Sequence, residues 1–133
     1  MTKDKKRRGQ RRMIHAAISS SKRFNRLPTD QARLLWCLIM AHTDDFGHIE
    51  SEIQDIKGKI VPRLDWTSDQ LQEYFLSLVD AKMITCYMAE GNLYAEVVLF
   101  DEHQAFPRGR EAQYPMPGEY LNIEQLLAYL KAV

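Results

Sequence analysis

No run in this 133-residue chain approaches the roughly 20 consecutive apolar residues that a membrane-spanning helix needs. The charged start is followed by no apolar stretch, so a secretory signal is not expected. Cysteine is scarce. Cys37 and Cys86 stand far apart among apolar neighbours, which fits two buried thiols in a reducing compartment better than a disulfide or metal pair. The expected location is therefore cytoplasmic. Histidine spacing is equally uninformative for catalysis: His15, His42, His48 and His103 are isolated, with no His-x-x-x-His or His-Glu-x-x-His pattern. The chain also lacks a Gly-x-Ser-x-Gly elbow and a phosphate-cradling Gly-rich loop. No enzymatic activity, cofactor, bound metal, small-molecule substrate or membrane partner is expected.

Net charge is missing only in the sum. Eighteen basic side chains balance eighteen acidic ones, yet Asp4 is the one acid among the first 26 residues. Ten cations lie in that stretch (Lys3, Lys5, Lys6, Arg7, Arg8, Arg11, Arg12, Lys22, Arg23 and Arg26), so it carries +9. Eight basic and seventeen acidic groups then leave −9 on the other 107 residues. Asymmetry of this size points to a polyanionic or acidic partner. After Met1, residues 2–12 have no apolar side chain, so residues 1–13 are expected to form a flexible basic arm.

What remains is enough for one domain: 45% of the residues are hydrophobic. The stretch "IHAAISSSKRF" suggests a short helix. In "LPTDQARLLWCLIMAH", Thr29 can cap a helix whose apolar face is Leu34, Leu35, Leu38 and Ile39. The DFG of "TDDFGHIE" has none of the kinase motifs around it, so Asp44, Asp45 and Gly47 read as a turn into a short strand from Phe46 to Ile49. A metal held by Asp44, Asp45 and His48 is the less economical reading. "SEIQDIKGKIV" reads as a second helix, with Ser51 as cap, Ile53, Ile56 and Ile60 inward, and Pro62 closing it. The clearest helix is "TSDQLQEYFLSLVDAKMI". Thr67 and Gln70 form a capping box there, and Leu71, Tyr74, Phe75, Leu78 and Val79 recur at helical spacing. Two β-rich runs then flank Ala89-Glu90-Gly91-Asn92, a hairpin with Tyr87 opposite Tyr94.

Helix, short strand, helix, turn, helix and hairpin is the connectivity of a winged helix. The expected fold class is α+β: a winged helix-turn-helix with a three-helix core and a small β-hairpin wing, spanning residues 14–104. Residues 105–133 should add a Pro- and Arg-containing loop and an amphipathic helix. In that helix Asn122 is the cap and Ile123, Leu126, Leu127 and Leu130 form the stripe. A helix this short needs something to dock on, either the winged helix, a second subunit or another protein.

Three segments, "SSKRFNRLPTDQARLLWCLIMAHTDDFGHI", "IVPRLDWTSDQLQEYFLSLVDAKMITCY" and "GNLYAEVVLFDEHQ", together resemble the N-terminal domain of phage replisome-organiser proteins and their DnaD-like relatives. The shared features are a Ser-Lys-Phe-type stretch before the first long helix, an Asp-Asp-x-Gly turn after it, and a His-Gln pair, here His103-Gln104, after the wing. The resemblance covers roughly residues 13–117. It implies a winged helix in replication initiation, binding origin DNA or assembling the helicase-loading complex.

The residues themselves direct DNA away from the usual reading helix. Base and phosphate contacts call for Arg, Lys, Asn and Gln. The third helix instead shows Asp69, Gln70, Gln72, Glu73, Ser77 and Asp80, and the wing has no cation between Thr85 and Glu96. The candidate nucleic-acid-binding residues are therefore Lys5, Lys6, Arg7, Arg8, Arg11, Arg12, Lys22, Arg23, Arg26, Lys57, Lys59, Arg63, Arg108 and Arg110. For Lys57, Lys59 and Arg63 a solvated face is the competing account. The arm's partner is DNA, RNA or an acidic protein surface. The expected function is DNA binding in a phage or bacterial replication-initiation system. An oligomerisation or adaptor module, as a homo-oligomer or with a replication protein, is the alternative, and a transcriptional regulator is the third.

Overall fold

The computed structural model describes residues 11–106 and 109–132. A 3-10 turn at Ala16–Ser20 leads into α1 (Lys22–Asn25), where Ser21 Oγ accepts the Phe24 N–H at 3.3 Å. The expected short helix is thus two short pieces. Helix α2 (Asp30–His42) starts where Thr29 Oγ1 accepts the Ala32 N–H at 3.1 Å. It buries Ala32, Leu35, Ile39 and Met40, whereas Leu34 faces outward and Leu38 is half-buried, so the buried face is rotated from the one the spacing suggested. Arg33 fixes the entry to this helix by donating to the carbonyls of Phe24, Asn25 and Leu27.

A turn brings the chain to β1 (His48–Glu50). Gly47 has φ +83°, and a Cβ there would stand 2.6 Å from Phe100 Cγ, so backbone and packing both require glycine. Next comes α3 (Ile53–Asp55), which widens into a π-helical turn over Ile56–Ile60 and closes with Val61 N–H donating to Ile56 O at 3.0 Å. The cap position belongs to Glu52 rather than the expected Ser51, and Glu52 makes no capping bond. Helix α4 (Ser68–Asp80) has the full capping box, with Gln70 N–H to Thr67 Oγ1 at 3.1 Å and Thr67 N–H to Gln70 Oε1 at 2.9 Å.

Strands β2 (Ile84–Ala89) and β3 (Asn92–Val97) form the hairpin, with Tyr87 paired to Tyr94. Glu90 (φ 52°) and Gly91 (φ 79°) make its two-residue turn. A short α5 (Phe100–His103) follows, then β4 (Glu119–Leu121) and α6 (Ile123–Ala132). The result is mixed α and β, with six helices and a four-stranded antiparallel sheet in the order β1-β3-β2-β4. Strand β4 lies within a segment that reads as irregular in sequence, and it pairs with β2 through Tyr87–Tyr120. Residues 119–132 therefore join the same sheet and core as the preceding elements.

Period-two alternation gives this sheet two different faces. Ile49, Ile84, Cys86, Leu93, Ala95 and Val97 pack with α2 and α4 in one apolar core that includes Leu35, Ile39, Phe75 and Leu78. Burial without a compensating charge pushes the Cys86 thiol up to about 12. The opposite face carries His48, Tyr87, Tyr94, Glu96 and Tyr120. Tyr87 stacks on Tyr94 at 5.5 Å, and His48 Nε2 lies 2.8 Å from Glu96 Oε1. Tyr87 is buried there, donates to Pro115 O at 2.8 Å, and has its hydroxyl pKa raised, first by burial and then by Asp44.

Candidate nucleic-acid interface

The turn between α2 and β1 holds two of the candidate arginines, Arg12 and Arg110. Asp44 is 1% exposed and accepts four backbone N–H groups. Phe46 and His48 donate to its Oδ1 at 2.9 and 3.1 Å, and Gln113 and Tyr114 donate to its Oδ2 at 3.1 and 3.3 Å. The carboxylate thus ties its own turn to a segment almost 70 residues later in the chain. With both oxygens engaged by backbone, Asp44 acts as a structural hub. Among the described residues no group of three or more metal-ligating side chains comes together.

Asp45 collects two of the candidate arginines. Arg12 Nη2 donates to Asp45 Oδ1 at 2.9 Å and to Thr43 O at 2.8 Å, while its Nε donates to Thr43 Oγ1 at 3.0 Å. The Arg12 side chain is only 6% exposed, and its guanidinium lies 5.6 Å from the Phe100 ring centroid. This differs from the expectation of an arm cation open to solvent. A buried guanidinium beside a carboxylate and a helix C-terminal carbonyl stabilises the fold, and it has no face left for a phosphate.

Arg110 is committed in a similar way. Its Nε donates to Asp45 O at 3.0 Å, it ion-pairs with Asp101, and it lies over the rings of Phe46 (4.3 Å) and Phe106 (4.6 Å). Arg110 remains on the surface, so its charge is partly neutralised but still exposed. Asp45 Oδ2 also accepts the Glu111 N–H at 2.8 Å. The root of the arm and the segment after the basic loop therefore share one anchor.

The other candidates fall into two further groups. Lys22, Arg23 and Arg26 are exposed around α1, and Arg23 donates to Lys82 O at 3.4 Å, bringing Lys82 beside them. Lys57, Lys59 and Arg63 are exposed on and after the π-helical turn, and Lys57 approaches Ser68 Oγ at 3.4 Å, at the start of α4. Lys59 pairs with Glu50, and that hydrogen bond raises its pKa. It lines a groove of about 690 Å³ with His42, Glu50, Asp55 and Tyr114. Burial, then the charge of Glu50, raises the Asp55 pKa in the same groove. Arg11 is exposed. Lys5, Lys6, Arg7, Arg8 and Arg108 lie outside the described residues.

Helix α4 turns Asp69, Gln70, Glu73 and Asp80 to solvent, and Glu90 sits exposed at the hairpin turn. That surface would repel a phosphate backbone. Sequence reasoning missed Gln104 as part of this site. It reads there as one half of a His-Gln pair, but its Oε1 accepts the Met13 N–H and its Nε2 donates to Met13 O, both at 3.0 Å. The one signal was its place in that pair, because a contact across 91 residues leaves no local pattern. Comparison of the chain with protein-family models, curated proteins and solved structures gave no match in any of the three.

Proposed function

We propose that this is a winged-helix DNA-binding protein of a phage or bacterial replication-initiation system, engaging DNA through its basic leading segment and nearby basic surface. The winged-helix part is supported by the helix–strand–helix–helix–hairpin order and by the β1-β3-β2 arrangement of its first three strands. The replication part rests on the sequence resemblance. One observation carries the DNA part: the root of the arm is pinned at Asp45 beside Arg110, while the acidic surface of α4 belongs to a different element. The exposed cations, unlike Arg12, contribute little to folding, and they bind polyanions chiefly by releasing counterions.

The test is duplex binding by fluorescence anisotropy across a salt series. Engagement of about six phosphates gives a slope of log K against log salt near −5. Replacing Lys3, Lys5, Lys6, Arg7 and Arg8 together with serine should weaken binding and flatten that slope by up to about 4. Unchanged binding at every salt concentration would remove the leading segment from the function.

A second reading, an adaptor that contacts proteins, is favoured by α6. Ile123 and Leu127 stand 40% and 39% exposed on its outer side. Concentration-dependent self-association without duplex binding would select that reading.

A further inference from the structure

Arg12 and Met13 are held by groups from three separate places in the chain. Thr43 and Asp45 follow α2, Phe100 opens α5, and Gln104 closes it. Arg12 Nε and Nη2 are bonded to Thr43 and Asp45, and its Nη1 donates back to Arg11 O at 2.8 Å. Every nitrogen of the guanidinium is occupied. At Met13 the Gln104 amide grips both backbone polar groups, a two-point clamp that copies one rung of a β-ladder. Charge recognition alone does not require such a clamp, since phosphate contact asks for exposed cations.

We infer that Arg12 and Gln104 are positioning residues: they hold Arg12 and Met13 in place, fix where the basic leading segment joins the described fold, and so set the local concentration of the six cations of residues 3–11 at bound DNA. This rests on the DNA-binding reading above. Arg12 itself makes no phosphate contact. Releasing the clamp leaves the 3-10 turn at Ala16–Ser20 as the next ordered element, which lengthens the tether by several residues. Local concentration falls as about the three-halves power of tether length, so affinity should drop about two- to threefold.

Three full-length variants test this, with duplex anisotropy across salt as one readout and trypsin cleavage followed by mass as the other. Arg12→Lys keeps the charge but loses the planar fork. Arg12→Ala removes the charge, and Gln104→Ala changes no charge at all. Positioning requires each variant to bind more weakly than the wild type, by up to about two- to threefold, with the wild-type salt slope. It also requires that fragments beginning at Met13, suppressed in the wild type, appear in Arg12→Lys and accelerate after cleavage of the remaining arm sites in that variant. In Gln104→Ala, cleavage after Arg12 should likewise become faster than in the wild type.

Two binding results would overturn the proposal: wild-type affinity in Arg12→Lys, or a slope flattened by about 0.9 in Arg12→Ala, which marks a lost phosphate contact. Should the wild type show no salt-dependent duplex binding, the DNA reading fails separately. Trypsin then decides the clamp, and unchanged protection in both Arg12→Lys and Gln104→Ala refutes it. Gln104→Ala also covers the case in which an Arg12 variant does not fold.

Discussion

Asp44 and Asp45 are adjacent and alike, yet their surroundings give them different weights. Asp44 is buried and satisfies four backbone donors, whereas Asp45 is half-buried and holds an arginine and one N–H. In Asp44→Asn one oxygen becomes an NH2 group facing two backbone N–H donors. Leaving two buried donors unpaired costs about 2–4 kcal/mol. Asp45→Asn keeps an acceptor and stands closer to water, so its cost should be about 1 kcal/mol. Urea unfolding midpoints of the two variants measure this, and equal losses would contradict it. From sequence the pair reads as a turn, which is right as far as local chemistry goes. Their division of labour was not legible, because the donors at Gln113 and Tyr114 arrive from far along the chain.

At the scale of elements, what could be read was what is local. The capping box of α4 and the Tyr87–Tyr94 register both follow from residues within a few positions of each other, and both form. Strand β4 is three residues long, follows Pro115 and Pro117, and exists because β2 offers it an edge. No period can be detected over three residues. Helix α6 was legible as a helix but not in its rotation. The stripe of Ile123, Leu126, Leu127 and Leu130 contains two adjacent faces, and the fold buries the one centred on Leu126. A polar contact helps to set this choice: Tyr129 donates to Glu52 Oε2 at 2.6 Å, and that bond pushes its hydroxyl pKa up to about 12. The same Glu52 oxygen accepts the Leu93 N–H at 2.9 Å, which ties α6 to the hairpin. Leu126→Ala should therefore cost about 2–5 kcal/mol, and Leu127→Ala within about 0.5 kcal/mol. Thermal melts of both variants check the assignment, and the reverse order would place α6 on its other face.

At the scale of the whole molecule, the account depends on where the two signs of charge lie. Composition showed the +9 and −9 segments directly. It could not show that Arg12 is spent inside the fold, that Arg110 lies between Phe46 and Phe106, or that Asp45 draws both to one place. The candidate surface is consequently smaller than the sequence suggests. Among the described residues it consists of Arg11, Arg110, the α1 group, and the group from Lys57 to Arg63. Helix α4, which would be the reader under the proposed winged-helix arrangement, presents carboxylates instead.

Amide chemical-shift mapping during titration with a short duplex at low salt tests this arrangement most directly. The account predicts shifts within residues 3–26, 57–63 and 108–110, with α4 and the turn at Glu90–Gly91 unmoved. Shifts centred on Ser68–Asp80 would contradict it.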